Sequence, residues 1–180
     1  LIQAHDLITG DLDGDGDVDF VTASGNGGGN DKISWYKNDG ASDPSFTEST
    51  ILAPSVGLSE EPDLYYPHEV DIGDFDGDGD LDLLVGEYGN GRIFLFENAL
   101  GFVRHTTFDD GFDSVTSSRF VDLDSDGDLD IVASTALDSK ALVWYENNGE
   151  SNPTFSQGVI AAIDNSHYAS KISYEDYDND

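Results

Sequence analysis

Fifteen aspartates fall into three copies of one phrase, with an acid at the first, third, fifth, seventh and ninth positions and glycine at the sixth. The copies are Asp11, Asp13, Asp15, Asp17 and Asp19 with Gly16; Asp74, Asp76, Asp78, Asp80 and Asp82 with Gly79; and Asp122, Asp124, Asp126, Asp128 and Asp130 with Gly127. Oxygens at this spacing suit Ca²⁺, which takes about six to eight hard oxygen ligands at flexible angles. The first, third, fifth and ninth carboxylates are expected to ligate. The seventh residue would offer its backbone carbonyl and leave its own carboxylate to water. Glycine at the sixth position lets the chain turn sharply, because it reaches positive φ without steric cost. A fourth copy begins with Asp176, Asp178 and Asp180, and the sequence ends there before a glycine or a closing acid.

A helix–loop–helix calcium site would place an acid at the twelfth position, on a second helix. The twelfth residues here are Thr22, Val85 and Ala133. Each loop leads instead into a short β-rich apolar run: Phe20-Val21-Thr22-Ala23, Leu83-Leu84-Val85-Gly86 and Ile131-Val132-Ala133-Ser134. The loops are therefore expected to join strand to strand.

The elements that must position these acids recur with them. Loop starts at 11, 74, 122 and 176 give periods of 63, 48 and 54 residues. A short strand precedes each loop, around His5–Thr9, His68–Ile72, Thr116–Phe120 and Ser170–Tyr174. An aromatic strand comes after the run behind each loop: Lys32–Lys37, Arg92–Glu97 and Ala141–Glu146. Asn38-Asp39-Gly40 and Asn147-Asn148-Gly149 then read as turns. A fourth strand closes each unit, around Phe46–Leu52, Phe102–Phe108 and Phe155–Ile160. Four antiparallel strands per period, repeated, are the pattern of β-propeller blades. The predicted units span about 1–63, 64–111 and 112–165, with the start of a fourth at 166–180.

The residues resemble the FG-GAP or VCBS repeat family, whose blades form the integrin α-subunit type of propeller. The resemblance rests on Gly10–Asp19, Gly73–Asp82, Val121–Asp130 and the aromatic strands that end in Asn. It implies Ca²⁺ in the loop between the first two strands of each blade, held by the first, third, fifth and ninth residues and the seventh carbonyl. Closed propellers need at least about four blades. The expectation is therefore that the protein continues into further blades or that several chains assemble.

Composition sets the outer limits. Seven Lys and Arg against 38 Asp and Glu give a formal net charge of −31, which argues against nucleic acid or an anionic membrane as partner. Three bound Ca²⁺ would leave −25. No cysteine is present, so calcium rather than disulfides is the expected staple, and the absence of methionine is read as a processed chain or a fragment. No apolar run reaches the roughly 18 residues of a membrane span, and no signal peptide is visible, so membrane insertion is not expected.

Antiparallel strands alternate in direction, so the acidic loops mark one face and the opposite face receives the two expansions of the first unit, Ser24–Asp31 and Ala53–Pro67. Binding sites favour such long connections. Gly25-Asn26-Gly27-Gly28-Gly29-Asn30 precedes a strand and lacks a following Lys, which makes it a flexible loop rather than a phosphate cradle. Tyr65 and Tyr66 could present rings to a sugar or a peptide, although packing against the next blade is the simpler reading. His5 and His68 hold equivalent positions whose third counterpart is Thr116, which favours a strand hydrogen bond over a zinc site. Trp35 and Trp144 are read as inter-blade core. No cysteine nucleophile, GxSxG elbow or HExxH is present, and an enzyme would have to gather carboxylates such as Glu60, Glu61 or Glu87 in one cleft.

The sequence reading is thus a non-catalytic, calcium-stabilised binding, adhesion or assembly module, secreted or on a cell surface. Its protein or carbohydrate ligand is expected on the face opposite the calcium loops. A carbohydrate-binding or polysaccharide-processing propeller and a subunit of an extracellular filament or coat are the alternatives.

Overall fold

A computed structural model describes residues 3–27, 29–53, 64–99, 101–136, 142–161 and 171–173. The described residues contain twelve strands and no helix. The first unit comprises β1 (Gln3–Gly10), β2 (Asp19–Gly25), β3 (Lys32–Asn38) and β4 (Phe46–Leu52). The second comprises β5 (Pro67–Gly73), β6 (Asp82–Glu87), β7 (Ile93–Asn98) and β8 (Phe102–Phe108). The third comprises β9 (Ser114–Val121), β10 (Asp130–Ala136), β11 (Leu142–Asn147) and β12 (Phe155–Ala161).

Each unit is one four-stranded antiparallel sheet with its strands in sequence order. The predicted strands match these elements to within a few residues. The exception is the strand predicted over 170–174, of which 171–173 are described and are not in a strand.

The middle sheet shows how a period of two builds the whole. On it, Leu84, Ile93 and Leu95 pack with Phe120, Ile131, Ala133 and Val143 of the third sheet. Their neighbours Leu83, Val85, Phe94 and Phe96 point the other way and pack with Val21, Ala23 and Ile33 of the first. Successive side chains of a strand face opposite sides of a sheet, so one strand supplies two cores. That is why β6 and β10 are buried along their whole length, with apolar runs at Leu83–Val85 and Ile131–Ala133. The fourth strands β4 and β12 lie at the outer edge and are largely exposed.

The first strands stand side by side, β5 between β1 and β9. The backbone N–H of Val70 donates to Asp6 Oδ2 at 3.1 Å, and that of Phe120 to Asp71 Oδ2 at 2.8 Å. Asp71 lies where burial pushes its carboxyl above the usual range. Arg119 pairs with Glu69 at 2.8 Å across the same boundary.

Candidate metal centres

All three acidic loops adopt one conformation, joining first strand to second as expected. The first aspartate of each accepts two backbone hydrogen bonds. Asp15, Asp78 and Asp126 N–H donate to Oδ1 of Asp11, Asp74 and Asp122, each at 3.1 Å. Gly16, Gly79 and Gly127 N–H donate to Oδ2 of the same residues at 2.9, 3.0 and 3.1 Å. The loop closes on this carboxylate only if the sixth residue turns back, and the three glycines take φ of 91°, 98° and 100°.

The turn gathers the first, third and fifth acids. Carboxylate oxygens of Asp11, Asp13 and Asp15 lie within 4.8 Å of one another, as do those of Asp74, Asp76 and Asp78, and of Asp122, Asp124 and Asp126. Each cluster is an all-oxygen donor set, the kind that suits Ca²⁺, Mg²⁺ or Mn²⁺. At the first cluster a cation of the protein's own stands beside the carboxylates. The Lys37 ammonium reaches into it, pairing with Asp13 and lying 3.3 Å from Asp15 Oδ2. At the same strand position the second and third units carry Glu97 and Glu146.

The ninth acid sits deeper. Asp19, Asp82 and Asp130 are buried, and each accepts from the backbone N–H of the Asn that ends the third strand: Asn38 at 2.7 Å, Asn98 at 2.9 Å and Asn147 at 2.8 Å. The second oxygen of Asp82 accepts from Phe75 N–H and that of Asp130 from Leu123 N–H, while Asp19 takes the Trp35 indole N–H at 3.0 Å. Burial raises the Asp82 carboxyl to about 7, against the lowering effect of its two backbone donors. The structure thus brings together three of the four expected side-chain ligands. It places the ninth as a brace between the loop and the third strand.

The seventh acids lie apart from the clusters. Asp80 is exposed, whereas Asp17 and Asp128 lean over the turns at Gly40 and Gly149. Asp176, Asp178 and Asp180 lie outside the described residues, as do Glu60 and Glu61.

Sequence reasoning missed the role of the strand-ending asparagines. Asn38, Asn98 and Asn147 Nδ2 donate to the eighth-position carbonyls of their own loops, Val18, Leu81 and Leu129. Asn98 and Asn147 also reach the preceding unit, donating to Leu12 O at 2.7 Å and Phe75 O at 2.9 Å. Their recurrence at each strand end was the available signal, but it reads first as turn chemistry.

On the opposite face, His5 Nε2 lies 3.1 Å from Gly25 O, the expected kind of strand hydrogen bond. The histidines nevertheless meet, with His5 stacked 5.5 Å from His68 and both against Tyr66. Trp35 meets Phe102 of the second sheet edge-on at 5.9 Å, a contact between units.

The sequence profile of the FG-GAP-like repeat matches residues 11–85 and 74–133. The chain belongs to the FG-GAP-like repeat family. A search of curated proteins finds no match. Among solved structures the chain is similar to the rhamnogalacturonan lyase PL11 of Bacillus licheniformis, at 18% identity and a TM-score of 0.57. The match covers 99% of this chain and 38% of the lyase, so this FG-GAP-like chain spans well under half the lyase's length. At that identity the likeness speaks for the fold.

Proposed function

We propose that this FG-GAP-like protein forms blades of a calcium-stabilised β-propeller and serves as an extracellular binding or assembly module rather than as an enzyme. The observation that carries the reading is the threefold gathering of three carboxylates on one braced turn. Without a cation each cluster is repulsive. With Ca²⁺, the loop becomes an anchor that fixes the register of the first two strands and, through Asn98 and Asn147, the neighbouring sheet.

A ligand that binds only the native state at ten times its Kd stabilises by about 1.4 kcal/mol per site. Three such sites would contribute about 4 kcal/mol to a typical net stability of about 5–15 kcal/mol. Calcium modules of extracellular proteins bind at roughly 10⁻⁴–10⁻³ M, which matches millimolar surroundings and not a resting cytosol. A non-catalytic role is supported by three acids outside the loops that are already engaged. Glu87 pairs with Arg92, Glu69 with Arg119, and Asp31 accepts from Asn26 and Gly27 N–H.

Thermal melting in millimolar Ca²⁺ and in EDTA tests the reading. A large fall of Tm on chelation is expected, and coincident melts would remove the mechanism.

A further inference from the structure

On the face away from the acidic loops, the start of β5, the end of β6 and the start of β9 converge on a cavity of about 330 Å³. Tyr65, Tyr66 and Tyr88 line it, with Asp113 of the third unit and Asn26 of the first on its wall. Tyr65 is 45% exposed and Tyr88 39%. The Tyr65 ring packs over Gly27 of the first unit, the neighbouring-unit contact expected of it, and still leaves part of its surface open to solvent.

The surrounding chain is committed to holding these rings there. Tyr66 has φ of 60°, a left-handed conformation that a tyrosine adopts only under restraint. The restraints are two buried carboxylates and two backbone bonds. Asp31 Oδ2 accepts from Tyr66 N–H at 3.3 Å, and Glu87, itself clamped by Arg92, accepts from Tyr65 N–H. Tyr88 N–H donates to Tyr66 O at 3.0 Å and Gly89 N–H to Tyr65 O at 3.2 Å. A Cβ at Gly89 would stand 2.4 Å from Tyr65 O and 2.1 Å from Tyr65 Cδ1, so only glycine lets this segment approach. Tyr66 and Tyr88 are tilted at 57° with ring centres 5.6 Å apart, two walls rather than a stacked pair.

We infer that this three-tyrosine groove is a binding site for an organic ammonium cation, a quaternary ammonium group or the side chain of a lysine. The proposal rests on the binding-module reading above and names its ligand class. Tyrosine faces carry negative electrostatic potential and attract such cations. Asp113 supplies a formal counter-charge, and among the described residues no Lys or Arg lines the groove. A chain of net charge −31 steers cations toward any such site and repels anions. Burial, reinforced by neighbouring His5, holds the His68 imidazole below its ordinary value, which disfavours a competing charge on this ring beside Tyr66.

The test is calorimetric titration of the whole chain in millimolar Ca²⁺ with choline, with Nα-acetyl-lysine amide, and with 3,3-dimethylbutanol, the neutral isostere of choline. Saturable binding of either cation, at least about tenfold tighter than the neutral alcohol, is expected, and the two cations tell the small-molecule source from the peptide one. Tyr88→Ala and Asp113→Asn should each weaken the cation several-fold while the calcium-dependent melt is unchanged. Equal affinity for the alcohol, tighter binding of a neutral methyl glycoside, cation binding indifferent to Tyr88→Ala, or no saturable cation binding would overturn the assignment. Any of these with an intact calcium effect sinks the groove alone. An unchanged melt in EDTA sinks the calcium reading whatever choline does.

Discussion

The side-chain amide of Asn98 donates to the carbonyl of Leu12 at 2.7 Å, tying the last residue of β7 to the acidic loop of the preceding unit. Asn147 repeats the bond to Phe75 at 2.9 Å. Each of these amides also holds its own loop, so one buried residue spans two candidate metal centres.

Replacing either should therefore cost more than replacing Asn38, whose bonds to Asp19 and Val18 stay within its own unit. Leaving buried carbonyls unpaired costs about 1–3 kcal/mol. Asn98→Ala and Asn147→Ala are each expected to lose about that much in urea denaturation at saturating Ca²⁺, with Asn38→Ala near the lower end. Equal losses at all three positions would deny the cross-unit bond its role.

Lys37 is a resident rival for the first centre. Removing its charge with Lys37→Gln should tighten Ca²⁺ at the first loop by several-fold while leaving the Glu97 and Glu146 loops as they were. Isothermal titration resolves this as a weak class of site merging with the others. A Lys37→Gln protein that binds no more tightly would mean that the ammonium leaves the cluster at no cost.

Asp82 is the carboxyl through which the second loop is expected to respond to pH. Its carboxyl is raised from 3.8 to about 7 by burial, with Asp76 and Asp78 adding to the rise and two backbone donors opposing it. In metal-free protein, its contribution to stability is fully present below about 3.8 and is lost as pH rises through about 7. A bound divalent ion favours the ionised form, so at about pH 6 calcium uptake should release a proton and affinity should climb toward pH 8. Titrations in two buffers of different ionisation enthalpy read the proton count directly. A count of zero would contradict the raised carboxyl.

Glu87 is fully buried, and Arg92 meets it at 2.6 and 2.9 Å through two nitrogens. Removing one partner of a buried pair typically costs about 3–5 kcal/mol because the other charge is stranded. Glu87→Ala should show a loss of that order in urea denaturation and, since Glu87 also holds Tyr65 N–H, a change in tyrosine ring mobility visible by NMR.

Much of this was legible in advance. The three loops, the strand after each, and the closing strands from Phe46 and Phe102 follow from spacing and alternation, because loop chemistry and strand period are local properties of the chain. The features that resisted reading were set by tertiary placement. Asn98 and Asn147 look like turn formers until another unit's carbonyl is seen beside them. Lys37 lies 24 residues from Asp13 and meets it only because β3 runs back alongside the loop. Tyr65 and Tyr66 read most simply as packing residues, since nothing near them in sequence announces that Asp31 and Glu87 hold their backbone.

Because Leu83, Val85, Phe94 and Phe96 serve one neighbour and Leu84, Ile93 and Leu95 the other, the middle sheet carries two joints, one per neighbour, on the same few residues. A gene that copies such a module in tandem needs no new complementary surface, since every copy arrives with both halves of the joint. Lengthening or shortening the array is then a matter of recombination rather than of redesign.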